Sequence, residues 1–391
     1  MTPLPRGLVP VLSGANFVVG MGAFLVIGAL VPIADGLSVS PARAGWVLTV
    51  YSLCYCVLSP LLVALTGGLG RRRVLAIGMS VFALGAAASA VAPGEAALWG
   101  ARGLSAAGAG MVTPVAAAVA AGLAPAQERG AMLARIFLGL TLAQVVGVPF
   151  GSWVAYAAGW RVAFWIVSVL AAACAVALWS RVPRGLSFQP VTLGDLGRVL
   201  ATPRLMLAVL FTATFLGAIY IPFTYVAPLL EATMGMGRDG VTAALVVAGI
   251  GAVIGNLAGG RLADRLGPPT TLLLLSGAQV VLMPLLSFLP MPLALAYLLV
   301  LVWFAAAYAF NAGQQVRLVA LAGPRAPVAL SLHAASIYLG AAIGAAIGAL
   351  VVSGAGLGAI GWAGGAAALA AVAHILASRV WPPVDSEAPS P

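Results

Sequence analysis

The chain is 391 residues long, 62% hydrophobic and only 7% charged, with a formal net charge of +10. A water-soluble fold of that size needs a polar coat, so a soluble globular protein is excluded and lipid must be the solvent. All 19 basic residues are Arg, placed at the ends of apolar stretches and not in a patch interleaved with aromatics, which excludes a nucleic-acid partner.

A bilayer-spanning helix needs about 20 mostly apolar residues. Twelve such stretches follow one another, over 9–34, 44–66, 74–92, 96–122, 131–156, 160–180, 205–230, 239–259, 270–289, 293–316, 328–352 and 358–380. The expected fold is an all-α membrane protein of twelve transmembrane helices in two pseudo-symmetric six-helix bundles. The first stretch follows Arg6 without a clear cleavage site, and reads as a retained span and not a signal peptide.

The longest loop, 181–204, carries Arg181, Arg184, Asp195, Arg198 and Arg204 with Pro183, Pro190 and Pro203. It divides the chain into a bundle at 1–180, a linker at 181–204, and a bundle at 205–391 that ends in a short tail. The run Leu-Gly-Asp-Leu-Gly-Arg-Val-Leu within the linker is expected to form a short surface helix. The halves echo each other. Leu69-Gly70-Arg71-Arg72-Arg73 follows span 2, Arg265-Leu266-Gly267 follows span 8, and Gly70 and Gly267 are 197 residues apart. That period is the mark of a parallel internal repeat.

With the N-terminus inside, the inner segments carry Arg6, Arg71, Arg72, Arg73, Arg129, Arg135, Arg181, Arg184, Arg198, Arg204, Arg261, Arg265, Arg317, Arg325 and Arg379. The outer segments carry Arg43, Arg161 and Arg238 only. Fifteen against three puts both termini in the cytoplasm of an inner membrane. Cys54, Cys56 and Cys174 lie inside apolar stretches, with neither disulfide nor metal spacing.

Gly260, Leu262, Ala263, Asp264, Arg265 and Gly267 match the G-x-L-A-D-R-x-G loop of the major facilitator superfamily, which the whole chain resembles. Gly139, with Gly147, Pro149 and Gly151 in Gly-Val-Pro-Phe-Gly, is similar to the motif of that family's antiporters, and Gly159-Trp160-Arg161 follows it. Arg102 in span 4 matches the family's embedded arginine. The resemblance implies a twelve-span exporter of drugs, sugars or nucleosides that exchanges its substrate for protons. Two positions depart from it. Gly67 stands where the first-half loop carries an Asp, and Gly20-Met21-Gly22-Ala23-Phe24 lacks the acidic residue many relatives hold in span 1. All nine carboxylates fall in loops or near span ends.

An embedded charge is a functional candidate by default. Arg102 is expected to face the interior, bound by carbonyls, Gln144 or water, as a proton-relay or substrate contact or as a hydrogen-bond hub. Cavity candidates are Asn16 in span 1, Tyr220 and Thr224 in span 7, and Trp303, Tyr308 and Asn311 in span 10, since aromatic and amide groups suit a weakly polar ligand. Asp264 and Arg265, with Gly260 and Gly267, are gating candidates, and Arg129 or Arg135 would pair with Asp264. Pro149, Gly147 and Gly151 are expected to kink span 5 and smooth its face. Gly251, Gly255 and Gly259, and Gly340, Gly344 and Gly348, read either as tight packing or as surfaces on which the halves rock. His333 is a candidate to carry the coupling proton, or a histidine that only bonds a nearby helix.

An enzyme would need a cluster of nucleophile, base or metal ligands, and only His333 and His374 accompany the scattered carboxylates. No phosphate-cradling loop points to an ATP-driven pump. An uncoupled facilitator stays open beside the antiporter. Expected partners are a small-molecule substrate, protons and the lipid bilayer, with the protein a monomer and no cofactor.

Overall fold

The computed structural model describes residues 7–123, 129–186, 193–323 and 326–380. Arg6, Glu128, Arg325, Asp385 and Glu387 lie outside them, as do the side chains of Arg129, Asp195 and Arg379. Twelve helices are long and apolar enough to cross a bilayer: Leu8–Gly28, Pro41–Leu65, Arg71–Ala90, Glu95–Ala120, Arg135–Ala158, Trp160–Arg181, Pro203–Met234, Arg238–Leu266, Pro268–Phe288, Leu293–Ala322, Val328–Ala355 and Leu357–Ser378. They are numbered spans 1 to 12 here. The linker run forms the helix Leu193–Leu200, whose Val199 buries itself against Leu205, Val209 and Leu318 of the second bundle.

Prolines set the breaks. Pro32 has no N–H and crowds the carbonyl four residues back, so span 1 stops at Gly28 and resumes as Leu30–Leu37. Pro228 does the same in span 7, which breaks at Tyr225 and resumes as Val226–Met234. The two prolines are 196 residues apart, so the repeat extends to the shape of its helices. Lipid offers no water to a freed carbonyl. The Ser152 hydroxyl donates to the Gly28 carbonyl at 2.9 Å, and the Ser59 hydroxyl donates to the Gly110 carbonyl, four residues before Pro114, at 2.8 Å.

The expected kink at Pro149 is a stretch of π-helix over Ala143–Gly147. One extra residue in the turn relieves the clash of the proline ring with the preceding carbonyls. Gln144 sits inside it.

The glycine faces lie within bundles, which corrects their reading as rocking surfaces. Gly251, Gly255 and Gly259 of span 8 press on the carbonyls of Leu301, Ala305 and Ala309 of span 10. Gly340 and Gly344 of span 11 press on the span 7 backbone near Gly217, and Gly348 on Tyr225. Gly147 and Gly151 face Met21 and Leu25 of span 1. Small residues four apart bring two backbones together, and here they fasten each six-helix unit. The bundles meet instead where span 2 packs along span 11, and where span 8 packs on the π-segment and last helix of span 5.

Candidate functional site

Arg102 lies at the heart of the first bundle with no exposed surface. Its guanidinium donates to the Gly22 carbonyl at 2.8 Å and the Ala23 carbonyl at 3.0 Å. Both acceptors belong to the span 1 run that lacks an acidic residue. The group also lies over the Tyr51 ring, 4.2 Å from its centroid, and 5.5 Å from that of Phe164. Of the acceptors expected from sequence, carbonyls serve and Gln144 does not. Nε of Arg102 and the Tyr51 hydroxyl are buried with no partner among the described residues.

Beside this charge the bundles join through rings. Tyr338 of span 11 packs against Phe24 of span 1 and Tyr55 of span 2. Its ring is 6.0 Å from Phe24, at an interplanar angle of 7°, and 3.7 Å from Tyr55, at 27°. The Tyr51 ring is 6.2 Å from that of Tyr338, and Tyr220 of span 7 stacks on Phe24 at 6.1 Å. Sequence reasoning singled out Tyr220 alone of these tyrosines. The signal for two others was there, since Tyr51 and Tyr55 are four residues apart and share a helix face.

Gln144 and Tyr308, both candidates from sequence, meet across the bundles, with the Tyr308 hydroxyl donating to the amide oxygen. Beside them is only a small gap, lined by Phe24, Gln144, Val148, Phe223, Leu245 and Phe304 among others. Toward the face opposite the linker, the seam closes. Gly28 meets Leu245, Gly45 receives the Tyr225 ring, and Gly249 meets Val145. The Tyr156 hydroxyl donates to Glu231 at 3.2 Å, and Arg238 lies over the Trp153 ring at 5.4 Å. The contacts named here run from the middle of the spans to that far face.

Other candidates are occupied elsewhere. Asn16 donates to the Ile136 carbonyl and ties span 1 to span 5. Thr224 donates to Tyr220 of its own helix, one turn back. Trp303 is fully buried against Phe223 and Phe304. Asn311 donates to Asn256 within the second bundle at 3.3 Å. Asp264 and Arg265 are exposed in the last turn of span 8, without an ion pair among the described residues, so the expected pairing with Arg135 is not formed in this state. Asp264 also lies at the C-terminal end of its own helix, where the dipole disfavours a carboxylate. Gly267 has φ of 76°, a left-handed turn that glycine takes without strain, and Pro268 then starts span 9. Gly260 has open space around it, with Ala312 the nearest contact at 4.0 Å.

His333 is buried in the second bundle. Its Nδ1 is 2.9 Å from the Thr212 hydroxyl, which also accepts from Gln314 at 3.0 Å, and its Nε2 has no partner among the described residues. His374, by contrast, engages both ring nitrogens, with Thr214 and the Leu207 carbonyl.

Comparison with known proteins agrees with this architecture. Residues 12–326 match the model of the Major Facilitator Superfamily. The inner membrane transport protein YdhP of Escherichia coli strain K12 is 34% identical over 352 residues, 89% of each chain. A chloramphenicol resistance protein of Streptomyces lividans is 33% identical over 89% of this chain and 88% of its own. Among solved structures, a bacterial homolog of the human lysosomal transporter Spinster, inward-facing and unoccupied, superposes with a TM-score of 0.72. It is 17% identical and covers 98% of this chain and 100% of that one.

Proposed function

Because the chain belongs to the Major Facilitator Superfamily, we propose that it exports a small organic solute of the drug, sugar or nucleoside class by alternating access, in exchange for protons. Membership already makes it a multi-pass membrane transporter of a small solute and not an enzyme. The observation that supports the finer reading is the closed seam at the face opposite the linker. Ring stacks, the Gln144–Tyr308 bond and the Tyr156–Glu231 bond hold the bundles together from the middle of the spans to the far face. The Arg asymmetry supports a cytoplasmic linker face, and on that reading the closed side is the outer one and solute enters from within. Units 1–180 and 205–391 rock about the 181–204 linker, and Asp264 and Arg265 gain partners when the cytoplasmic side closes. Similarity to a chloramphenicol resistance protein supports export.

For the proton, His333 is the candidate. Histidine is the residue type that ordinarily titrates near neutrality, and this one has a buried ring nitrogen without a partner. Arg102 supplies a fixed charge and not a titrating group, since a guanidinium does not release its proton in proteins. The test is chloramphenicol flux in proteoliposomes with proton movement recorded alongside. Wild type is expected to move both. His333→Asn is expected to pass substrate without driving protons. A wild type that moves substrate and no protons would favour an uncoupled facilitator, the reading that the missing span 1 carboxylate supports.

A further inference from the structure

The rings at the bundle seam belong to two different bodies. Phe24, Tyr51 and Tyr55 stand on spans 1 and 2, while Tyr338 reaches over from span 11. Tyr338 is therefore a ring borrowed from the other bundle, held nearly parallel to Phe24 and face to face with Tyr55. Any separation of the bundles withdraws it. What remains is a slot where that ring stood, bordered by three aromatic side chains. Tyr51, one of these rings, has the Arg102 guanidinium over its face, and its hydroxyl and Nε of Arg102 are both buried and both lack a partner among the described residues. A buried polar atom without a partner is costly, so a polar ligand atom there is favoured.

Charge then selects among ring-bearing ligands. An open aromatic box ordinarily attracts a cation through its ring faces. Here the protein supplies that cation itself, with Arg102 on the Tyr51 and Phe164 faces. Its bonds are to neutral carbonyls, and no carboxylate lies mid-span in the chain, so the positive charge is not neutralised. In the weakly polar interior of a membrane protein, its field reaches the whole slot.

We propose that the slot formed by Phe24, Tyr51 and Tyr55 binds a solute with one planar aromatic ring and a neutral or anionic polar group, that Tyr338 occupies it as a plug when the solute is absent, and that aromatic cations are excluded. This rests on the transporter reading above and adds the class of substrate to it. The ring of the solute replaces that of Tyr338, and its polar group meets the Tyr51 hydroxyl.

Three probes of one shape test it: 4-nitrobenzyl alcohol, 4-nitrobenzoate and (4-nitrobenzyl)trimethylammonium. Binding is read by equilibrium dialysis against the full chain in nanodiscs, with empty nanodiscs subtracted. The alcohol and the benzoate are expected to bind, and the ammonium at least about tenfold more weakly. Tyr55→Ala is expected to weaken the alcohol at least about tenfold. Tyr338→Ala, which removes the plug, is expected to tighten it at least about threefold, an effect that a merely structural tyrosine does not produce. An ammonium bound as well as the alcohol, a Tyr338→Ala protein that binds more weakly, or no binding of any probe would each overturn the proposal. The export reading is judged separately, on chloramphenicol flux.

Discussion

At the scale of single residues, Arg102 shows what an embedded charge requires. Its two terminal nitrogens take adjacent carbonyls of span 1 while its plane lies over Tyr51. An ammonium is a point donor and does not reach both carbonyls while covering a ring. Arg102→Lys is accordingly expected to lose at least about tenfold in transport, the equivalent of one charged hydrogen bond, with an unchanged gel-filtration profile. Full activity in the Lys variant would show that charge alone matters. Arg102, Gln144 and Tyr308 stood out in the sequence because polar atoms in apolar spans carry a cost that needs a reason. Their partners did not stand out. Gln144 and Tyr308 are 164 residues apart, and nothing local specifies that they meet. Phe24, Tyr55 and Tyr338 stayed hidden because an aromatic ring in an apolar span looks like packing until its neighbour is known to belong to the other bundle.

At the scale of elements, prolines and serines act in pairs. Pro32 frees the Gly28 carbonyl and Ser152 takes it; Pro114 frees the Gly110 carbonyl and Ser59 takes it. Ser152→Ala is expected to cost about 1–3 kcal/mol, the penalty of an orphaned buried acceptor, as a lower melting temperature in detergent. In the Pro32→Ala background the same change is expected to cost much less, because residue 32 then has an N–H for that carbonyl. Equal losses in both backgrounds would sever the link between proline and serine. The span boundaries were legible from hydrophobic length, and the short linker helix from its run of residues, but these compensations join helices far apart in sequence. The glycine faces divide in the same way. Their spacing announced close approach and left the partner open. Gly255→Leu drives a side chain into the Ala305 carbonyl and is expected to cost about 1–3 kcal/mol or more. Gly260→Ala meets only Ala312 at 4.0 Å and is expected to leave the melting temperature unchanged.

At the scale of the molecule, composition dictates a membrane solvent, repeat length points to two bundles, and Arg placement predicts their orientation. A single cysteine at Gly185, in a protein freed of Cys54, Cys56 and Cys174, is expected to resist impermeant maleimide in intact cells and to react in everted vesicles. The reverse pattern would invert the orientation and with it the direction of transport. On the proposed reading, closure of the seam at the far face alternates with closure at the linker face. The account is tested most directly by holding that seam shut. In the same cysteine-free background, Tyr156→Cys and Glu231→Cys are joined across the bundles by a cleavable bis-maleimide, and chloramphenicol flux is measured in proteoliposomes before and after cleavage. Flux is expected to stop when the link forms and to return when it is cut. Undiminished flux through the linked protein would contradict alternating access at this interface.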